Sequence, residues 1–267
     1  MKSSNSTSGG FGWDQVDPFD EKDKHLWMKL EHLGRYLFAA DFLKQHQPEV
    51  VADISCGIGY GIPELGRIAQ MVIGVDSRQE MIEIASKKIS EGNKNFEVRF
   101  LNKNLDSQDL TPDIEPGSVD AVVSFETLEH LVDPNRAVSG FSQILRSGGF
   151  LISSVPNALS ESNASACVPR NRFHKQLFNF GSLSRMVQSH GMQMVYRLGQ
   201  SWSYSLLKRE QQLSRARLIE RKLSDEPTMH TPEMIRLLSY ILAYPNVEDV
   251  DGSYSIIIVA QKQPTRL

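Results

Sequence analysis

The segment Asp53-Ile-Ser-Cys-Gly-Ile-Gly-Tyr-Gly61 places an acid just ahead of closely spaced glycines. Gly57 and Gly59 let the backbone turn sharply and approach a ligand, because no Cβ stands in the way. Asp76 closes the next apolar run, at a place where a carboxylate can accept both hydroxyl protons of a ribose. Further along, Glu126, Glu129 and His130 stand at i, i+3 and i+4, a spacing that predicts one shared helical face. A histidine titrates near neutral pH, so His130 is a candidate general base or substrate hydrogen-bond partner, with helix support as the bland alternative. Phe125, beside it, would line the ligand side. Plainer readings exist for each residue: turn glycines, a helix cap at Asp76, a solvated strand end at Asp53.

Those residues need a scaffold, and the hydrophobic pattern supplies one. Strands are predicted over 49–54, 71–75, 96–101, 119–124 and 150–155, alternating with helices over 62–69, 79–91 and 135–145. That cadence predicts an α/β fold with a doubly wound, parallel, Rossmann-like sheet and right-handed crossovers. Ligands in such sheets bind beyond the carboxyl ends of the strands, near the point where strand order reverses. Helical spacing of Leu26, Leu30, Leu33 and Leu37 predicts one or two helices over 22–45, ahead of the sheet. A helix over 183–190 and strands over 192–198 and 254–261 close the pattern. Residues 204–223 and 232–243 read as a helical insertion before the last strand, spanning about 202–245, as a lid or a dimer face. Residues 1–21 read as a loose polar tail ahead of a single domain over 22–267.

The chain has 267 residues and a formal net charge of -3, which gives no global attraction to phosphate, so no nucleic-acid partner is expected. Its cysteines, Cys56 and Cys167, are too few for a disulfide framework. Cys56 reads as a small packing residue within the loop. No stretch approaches the roughly 20 apolar residues that span a bilayer, so a cytoplasmic protein is expected.

The string Val-Ala-Asp-Ile-Ser-Cys-Gly-Ile-Gly-Tyr-Gly resembles motif I of class I S-adenosylmethionine-dependent methyltransferases. Dinucleotide sites space their glycines as G-x-G-x-x-G and usually lack the preceding acid. Val75-Asp76, Asn104-Leu105, Ser-Phe-Glu-Thr-Leu-Glu-His-Leu (124–131) and Arg-Ser-Gly-Gly-Phe-Leu-Ile (146–152) follow in family order. The resemblance implies a seven-stranded sheet whose last strand is antiparallel. It implies that Asp53 and the segment Ser55, Cys56, Gly57, Gly59 and Tyr60 hold the methionine moiety, and that Asp76 binds ribose. Ser77, Met81 and Phe125 would flank the adenosine, Asn104 and Leu105 would meet the adenine, and Arg35 would pair with the cofactor carboxylate. The cofactor would be S-adenosyl-L-methionine, released as S-adenosyl-L-homocysteine.

The same resemblance makes His174, in Asn171-Arg-Phe-His-Lys, a second candidate base. Ubiquinone-type O-methyltransferases also have a Glu-x-x-Glu-His run; no metal is expected, the alternative being a divalent cation on Glu126, Glu129 and His130. Methyl transfer needs alignment of nucleophile, methyl and sulfur in a dry pocket, with removal of a proton when the nucleophile is a hydroxyl. The expected activity is O-methylation of a small molecule, such as a sugar, a nucleotide-sugar or a secondary metabolite. N- or C-methylation, or a cofactor-binding protein that assembles through the insertion, are the alternatives, and a homodimer through the insertion is the expected assembly.

Overall fold

The computed structural model describes residues 16–92, 95–162, 169, 171–200, 212, 218–247 and 253–264. Its centre is a seven-stranded sheet of order β3-β2-β1-β4-β5-β7-β6. The strands are β1 (Val50–Ile54), β2 (Met71–Asp76), β3 (Glu97–Asn102), β4 (Val119–Phe125), β5 (Leu145–Pro156), β6 (Met192–Gln200) and β7 (Ser255–Lys262). Strands β1 to β5 pair in parallel, and β7 runs antiparallel to both β5 and β6. Parallel strands are covered on both faces, so they are continuous apolar runs rather than alternating ones. Accordingly Val51, Ala52 and Ile54 of β1 and Val122 and Val123 of β4 are fully buried.

Helices fill the crossovers: α1 (Leu26–Lys44), α2 (Ile62–Gly66), α3 (Gln79–Glu91), α4 (Pro134–Ile144), α5 (Ala158–Glu161), α6 (Phe180–Ser189), α7 (Leu218–Asp225) and α8 (Pro232–Leu242). The polar starts of α4, α5, α6 and α8 have side-chain caps: Asp133, Asn157, Asn179 and Thr231 accept from Arg136, Leu159, Ser182 and Met234 amides. Two apolar clusters lie on opposite faces of the sheet, one around Phe141, Leu151 and Ile258, the other around Phe42, Val72 and Ile257.

The helix expected over 22–45 is one element, and nearly all of its sides are covered. Its Tyr36 and Phe42 pack on the sheet, while Leu26, Leu30 and Leu33 pack with Ile235 and Ala243 of the insertion. A helix apolar all round is a buried helix. The insertion was expected as a lid or dimer face. Its described part, 218–247, buttresses α1, and contributes no residue to the cavity described below. Arg236 of α8 makes a two-pronged ion pair with the buried Glu64 of α2, and Gln200 donates to the carbonyls of Glu31 and Ala243. Most of the helix expected over 204–223 lies outside the described residues, as does Cys167.

Two further expectations need correction. The fifth strand, expected over 150–155, begins at Leu145, and Ser147-Gly148-Gly149 sit where its register with β4 shifts. The expected tail reaches only partly to residue 21, since Val16 is buried and the Asp17 carboxylate meets Lys88 of α3 at 2.5 Å.

A Cβ added at Gly34 would overlap the carbonyl of Ala243, so this glycine sets the closeness of α1 and the insertion. Gly34→Ala should therefore destabilise the fold by about 2–3 kcal/mol, the usual cost of forcing atoms into a packed interface. Urea unfolding checks this; an unchanged midpoint would show that the contact is slack.

Candidate functional site

Strand order reverses between β1 and β4, because the chain leaves β1 toward β2 and β3 and then returns to lay β4 on the other side. A cavity of about 570 Å³ opens above this point, walled by α1, the loops after β1 to β4 and the segment 171–175. The residues just beyond these two strands, Ser55 and Glu126, both take left-handed backbone (φ 63° and 48°). Non-glycine residues rarely do so, and such strain gathers at functional sites.

The loop after β1 is held at both ends. Cys56 N–H donates to the Val75 carbonyl, and Gly57 N–H donates to Asp76 Oδ2 at 2.9 Å. Asp76 Oδ1 accepts from the Arg78 amide at 2.9 Å, so this carboxylate both ties the loop to β2 and starts the turn into α3. It sits on the cavity wall with Ser55, Cys56, Gly57, Tyr60 and Ser77. Each carboxylate oxygen keeps lone-pair capacity for a ligand hydroxyl. Gly59 is not on the wall. Its φ of 76° and its approach to Ala85 of α3, where an added Cβ would come within 2.9 Å, make it a packing glycine.

Asp53 and Met81 also lie behind the wall rather than on it. Side chains alternate along a strand, so Asp53 points to the α1 face, where Tyr36 donates to its Oδ1 at 2.9 Å and Oδ2 has no hydrogen-bond partner. Burial pushes its pKa up to about 7, against the Tyr36 hydrogen bond and with a smaller push from Asp76. Burial likewise raises the Cys56 thiol, with Asp53 and Asp76 adding to the effect, which makes it a poor nucleophile. Asn104, Leu105 and Phe125 are on the wall. One lone pair of the Asn104 amide oxygen already accepts from the Asp106 amide at 2.9 Å.

Arg35 reaches the cavity, but its charge is taken. Its Nη1 lies 2.6 Å from Glu126 Oε1 and 3.3 Å from Ser154 Oγ, which itself donates to Glu126. Burial opposes its charge, yet Glu126 and the nearby acids hold its pKa above the ordinary value. Glu126, Glu129 and His130 do not share a helix face, because residues 128–130 form a single 3-10 turn and Glu126 precedes it in left-handed conformation.

The structure groups Glu129, His130 and His174 instead, with ligand-capable atoms all within 4.8 Å of one another. The Glu129 carbonyl accepts from the Lys175 and Gln176 amides, which brings the 171–176 segment alongside. The His130 and His174 rings meet edge to face, 4.7 Å apart. His130 Nδ1 is 3.2 Å from the Phe173 carbonyl; since that oxygen only accepts, Nδ1 carries the proton. His174 Nδ1 is 3.0 Å from Glu161 Oε1, and its Nε2 is 2.9 Å from the Asn171 amide nitrogen. Asn171 Oδ1 accepts from the Phe173 amide, so the NH2 group is the one that faces His174. A metal on this trio would have to displace Asn171 or Glu161 from His174, and Glu126 would bring to it a carboxylate already paired with Arg35.

Sequence reasoning missed His32, Tyr36 and Glu161. His32 Nδ1 is 2.9 Å from the Tyr60 hydroxyl, and burial, helped by Arg35, drives its pKa well below the ordinary value and keeps it neutral. His32, Arg35 and Tyr36 stand at i, i+3 and i+4, a signal that was available. Glu161 had no local signal, because its contact with His174 follows no short spacing in the chain.

An acid and glycine loop thus sit beneath the cavity at the switch point of this sheet, the place where ligands bind in open α/β folds. Residues 52–153 match the family described as a methyltransferase domain. A probable S-adenosylmethionine-dependent methyltransferase of Mycolicibacterium smegmatis is 31% identical over 149 residues, 56% of this chain and 54% of that protein. A ubiquinone biosynthesis O-methyltransferase of Xanthomonas campestris pv. campestris is 30% identical over 118 residues, 44% of this chain and 47% of that protein. The chain spans about half the length of these curated relatives. The solved YcgJ protein from Bacillus subtilis shares the fold, with a TM-score of 0.53 and 18% identity over 85% of this chain and 99% of that one. The methyltransferase domain matched over residues 52–153 and these relatives support the class I S-adenosylmethionine-dependent methyltransferase superfamily, and with it S-adenosyl-L-methionine as the cofactor.

Asp53 provides a pH test of the loop's support. Its folded pKa of about 7 exceeds the ordinary 3.8, so the folded state binds this proton more tightly than the unfolded state does. Its contribution to stability is complete below the lower value and is lost as pH rises through the higher one. Asp53→Asn should thus be more stable than the parent at pH 8.5 by about 2 kcal/mol, after the cost of burying an unpaired amide N–H. Near pH 4 the gain should turn into a deficit, since the amide cost remains without the ionisation penalty. A gain independent of pH would place Asp53 in a solvated site.

Proposed function

We propose that the protein transfers the methyl group of S-adenosyl-L-methionine to a hydroxyl of a small molecule, most simply a sugar or a secondary metabolite. The observation that supports this most directly is one cavity running from the Asp76 carboxylate and the Gly57 loop to His130 and His174. In this reading Asp76 receives the ribose hydroxyls, the Ser55 to Gly57 backbone faces the methionine moiety, and Asn104, Leu105 and Ser77 flank the adenosine. Bound there, the cofactor supplies an electrophilic methyl on a sulfonium. The protein aligns the acceptor in line with it, screens the pair from water, and takes the hydroxyl proton.

His130 is the base we assign. With Nδ1 protonated toward the Phe173 carbonyl, Nε2 is the basic nitrogen. His174 has both ring nitrogens facing Glu161 and Asn171, and in this reading it braces His130 through the edge-to-face contact. The ubiquinone biosynthesis relative supports an oxygen acceptor over nitrogen or carbon.

No helix among the described residues is long and apolar enough to cross a membrane. We place the protein in the cytoplasm, acting on a soluble acceptor. Leu237, Tyr240 and Ile241 are exposed on the side of α8 turned away from α1, which supports a homodimer through the insertion.

The test is a methyl-transfer screen with labelled S-adenosyl-L-methionine across sugars and phenolic metabolites, followed by His130→Ala on the accepted substrate. Turnover should fall by about 100-fold to 10,000-fold, the usual range for a general base, while cofactor affinity is unchanged. An unchanged rate would return His130 to a structural role, and label moving only to amines would replace the O-methylation reading.

A further inference from the structure

Carboxylates gather along one part of the cavity wall, and one of them has no hydrogen-bond partner among the described residues. Glu31, Glu126 and Glu129 line it, and Glu161 stands behind His174. Arg35 is the guanidinium among them, and it is committed to Glu126 at 2.6 Å. The lysines on the same wall are paired elsewhere, Lys103 with Asp113 and Lys175 with Asp106. Burial and Arg35 keep His32 neutral.

Glu129 is left in deficit. It is 1% exposed and on the cavity wall, and neither carboxylate oxygen has a hydrogen-bond partner. The nearest basic atom, His130 Nε2, is 3.8 Å from Oε1, beyond hydrogen-bond reach. Burying a carboxylate without a partner costs several kcal/mol, and proteins avoid it unless something fills the place. Burial, and then Glu126, push the Glu129 pKa well above the ordinary value, so a neutral hydroxyl would meet it as an acid, whereas a cation would stabilise its ionised form. A positively charged organic group is such a cation.

We propose that this inner wall is a binding site for an organic cation, with the Glu129 carboxylate as its receiving group. The inference deepens the methyltransferase reading and rests on it for one of two sources of positive charge. The cation is either the sulfonium of S-adenosyl-L-methionine or an ammonium carried by the acceptor beside the hydroxyl to be methylated. In the first case Glu129 lets the site tell the charged cofactor from its neutral product; in the second it selects amino alcohols or amino sugars over neutral polyols.

Titration calorimetry on wild type and Glu129→Gln separates these. S-adenosyl-L-methionine and S-adenosyl-L-homocysteine are titrated into each protein. Ethanolamine and its uncharged match, ethylene glycol, are then titrated into each protein with and without S-adenosyl-L-homocysteine. Loss of one partner of a buried charge pair weakens binding by about tenfold or more. A loss of that size for S-adenosyl-L-methionine alone, with the homocysteine form unchanged, assigns the sulfonium and shows that the variant is folded. Ethanolamine binding that exceeds ethylene glycol binding in wild type, and is lost in the variant, assigns an acceptor ammonium.

If Glu129→Gln changes neither the cofactor ratio nor ethanolamine binding, the proposal is wrong. Zinc or magnesium ions binding wild type but not the variant, with no effect on either organic cation, would also overturn it in favour of an inorganic ion. Failure of both cofactor forms to bind wild type would count against the methyltransferase reading, and the ethanolamine arm without cofactor would still decide the cation site.

Discussion

The hydrogen bond from the Gly57 amide to the Asp76 carboxylate, 2.9 Å long, ties the loop after β1 to the end of β2. Pairing of Ile54 with Val75 and the Cys56 amide on the Val75 carbonyl fix the two strand ends, and the Asp76 bond adds the placing of the Gly57 turn, where Ser55, Gly57 and Gly59 take left-handed backbone. A charge-assisted bond of this kind is stronger than a neutral one. It also orients the carboxylate that in our account meets the ribose, so the same oxygen pair shapes the loop and faces the ligand. The Asp76 side chain can do both because each oxygen accepts more than one donor.

A second constraint comes from α1, which lies between the sheet and the insertion with almost no free face. Gly34 lets the Ala243 backbone approach on one side, and Tyr36 packs against Gly61 and Phe125 on the other. The insertion thus acts on the site through α1. Its Arg236 pair with Glu64 adds a direct tie to α2, the helix that follows the cofactor loop. Packed interiors transmit such contacts stiffly, so His32, Arg35 and Tyr36 meet the cavity in fixed positions.

The fold and half of the site were legible in the chain because their signals are local. Apolar runs end at Asp53 and Asp76, glycines follow at once, and the alternation of strand and helix leaves few topologies. The remainder depended on contacts between distant segments. Asp53 was expected on the wall, but strand alternation turns it to Tyr36. Arg35 was expected to pair with the cofactor carboxylate; the turn after β4 also brings Glu126 to it, and the left-handed backbone at Glu126 leaves no mark in the residue type. The same turn breaks the helical face drawn through Glu126, Glu129 and His130, and the described segment 171–176 brings the second histidine, His174, to Glu129 and His130. Had His32, Arg35 and Tyr36 been read as one face of α1, the aromatic side of the cavity would have been legible too.

The central claim is that the cavity over β1 and β4 is a site for S-adenosyl-L-methionine. Isothermal titration of the whole chain with S-adenosyl-L-methionine, S-adenosyl-L-homocysteine and NAD in parallel tests it most directly. Saturable binding of the first two and none of NAD is the result this account predicts. Binding of NAD alone, or no heat from either sulfur compound, would contradict it.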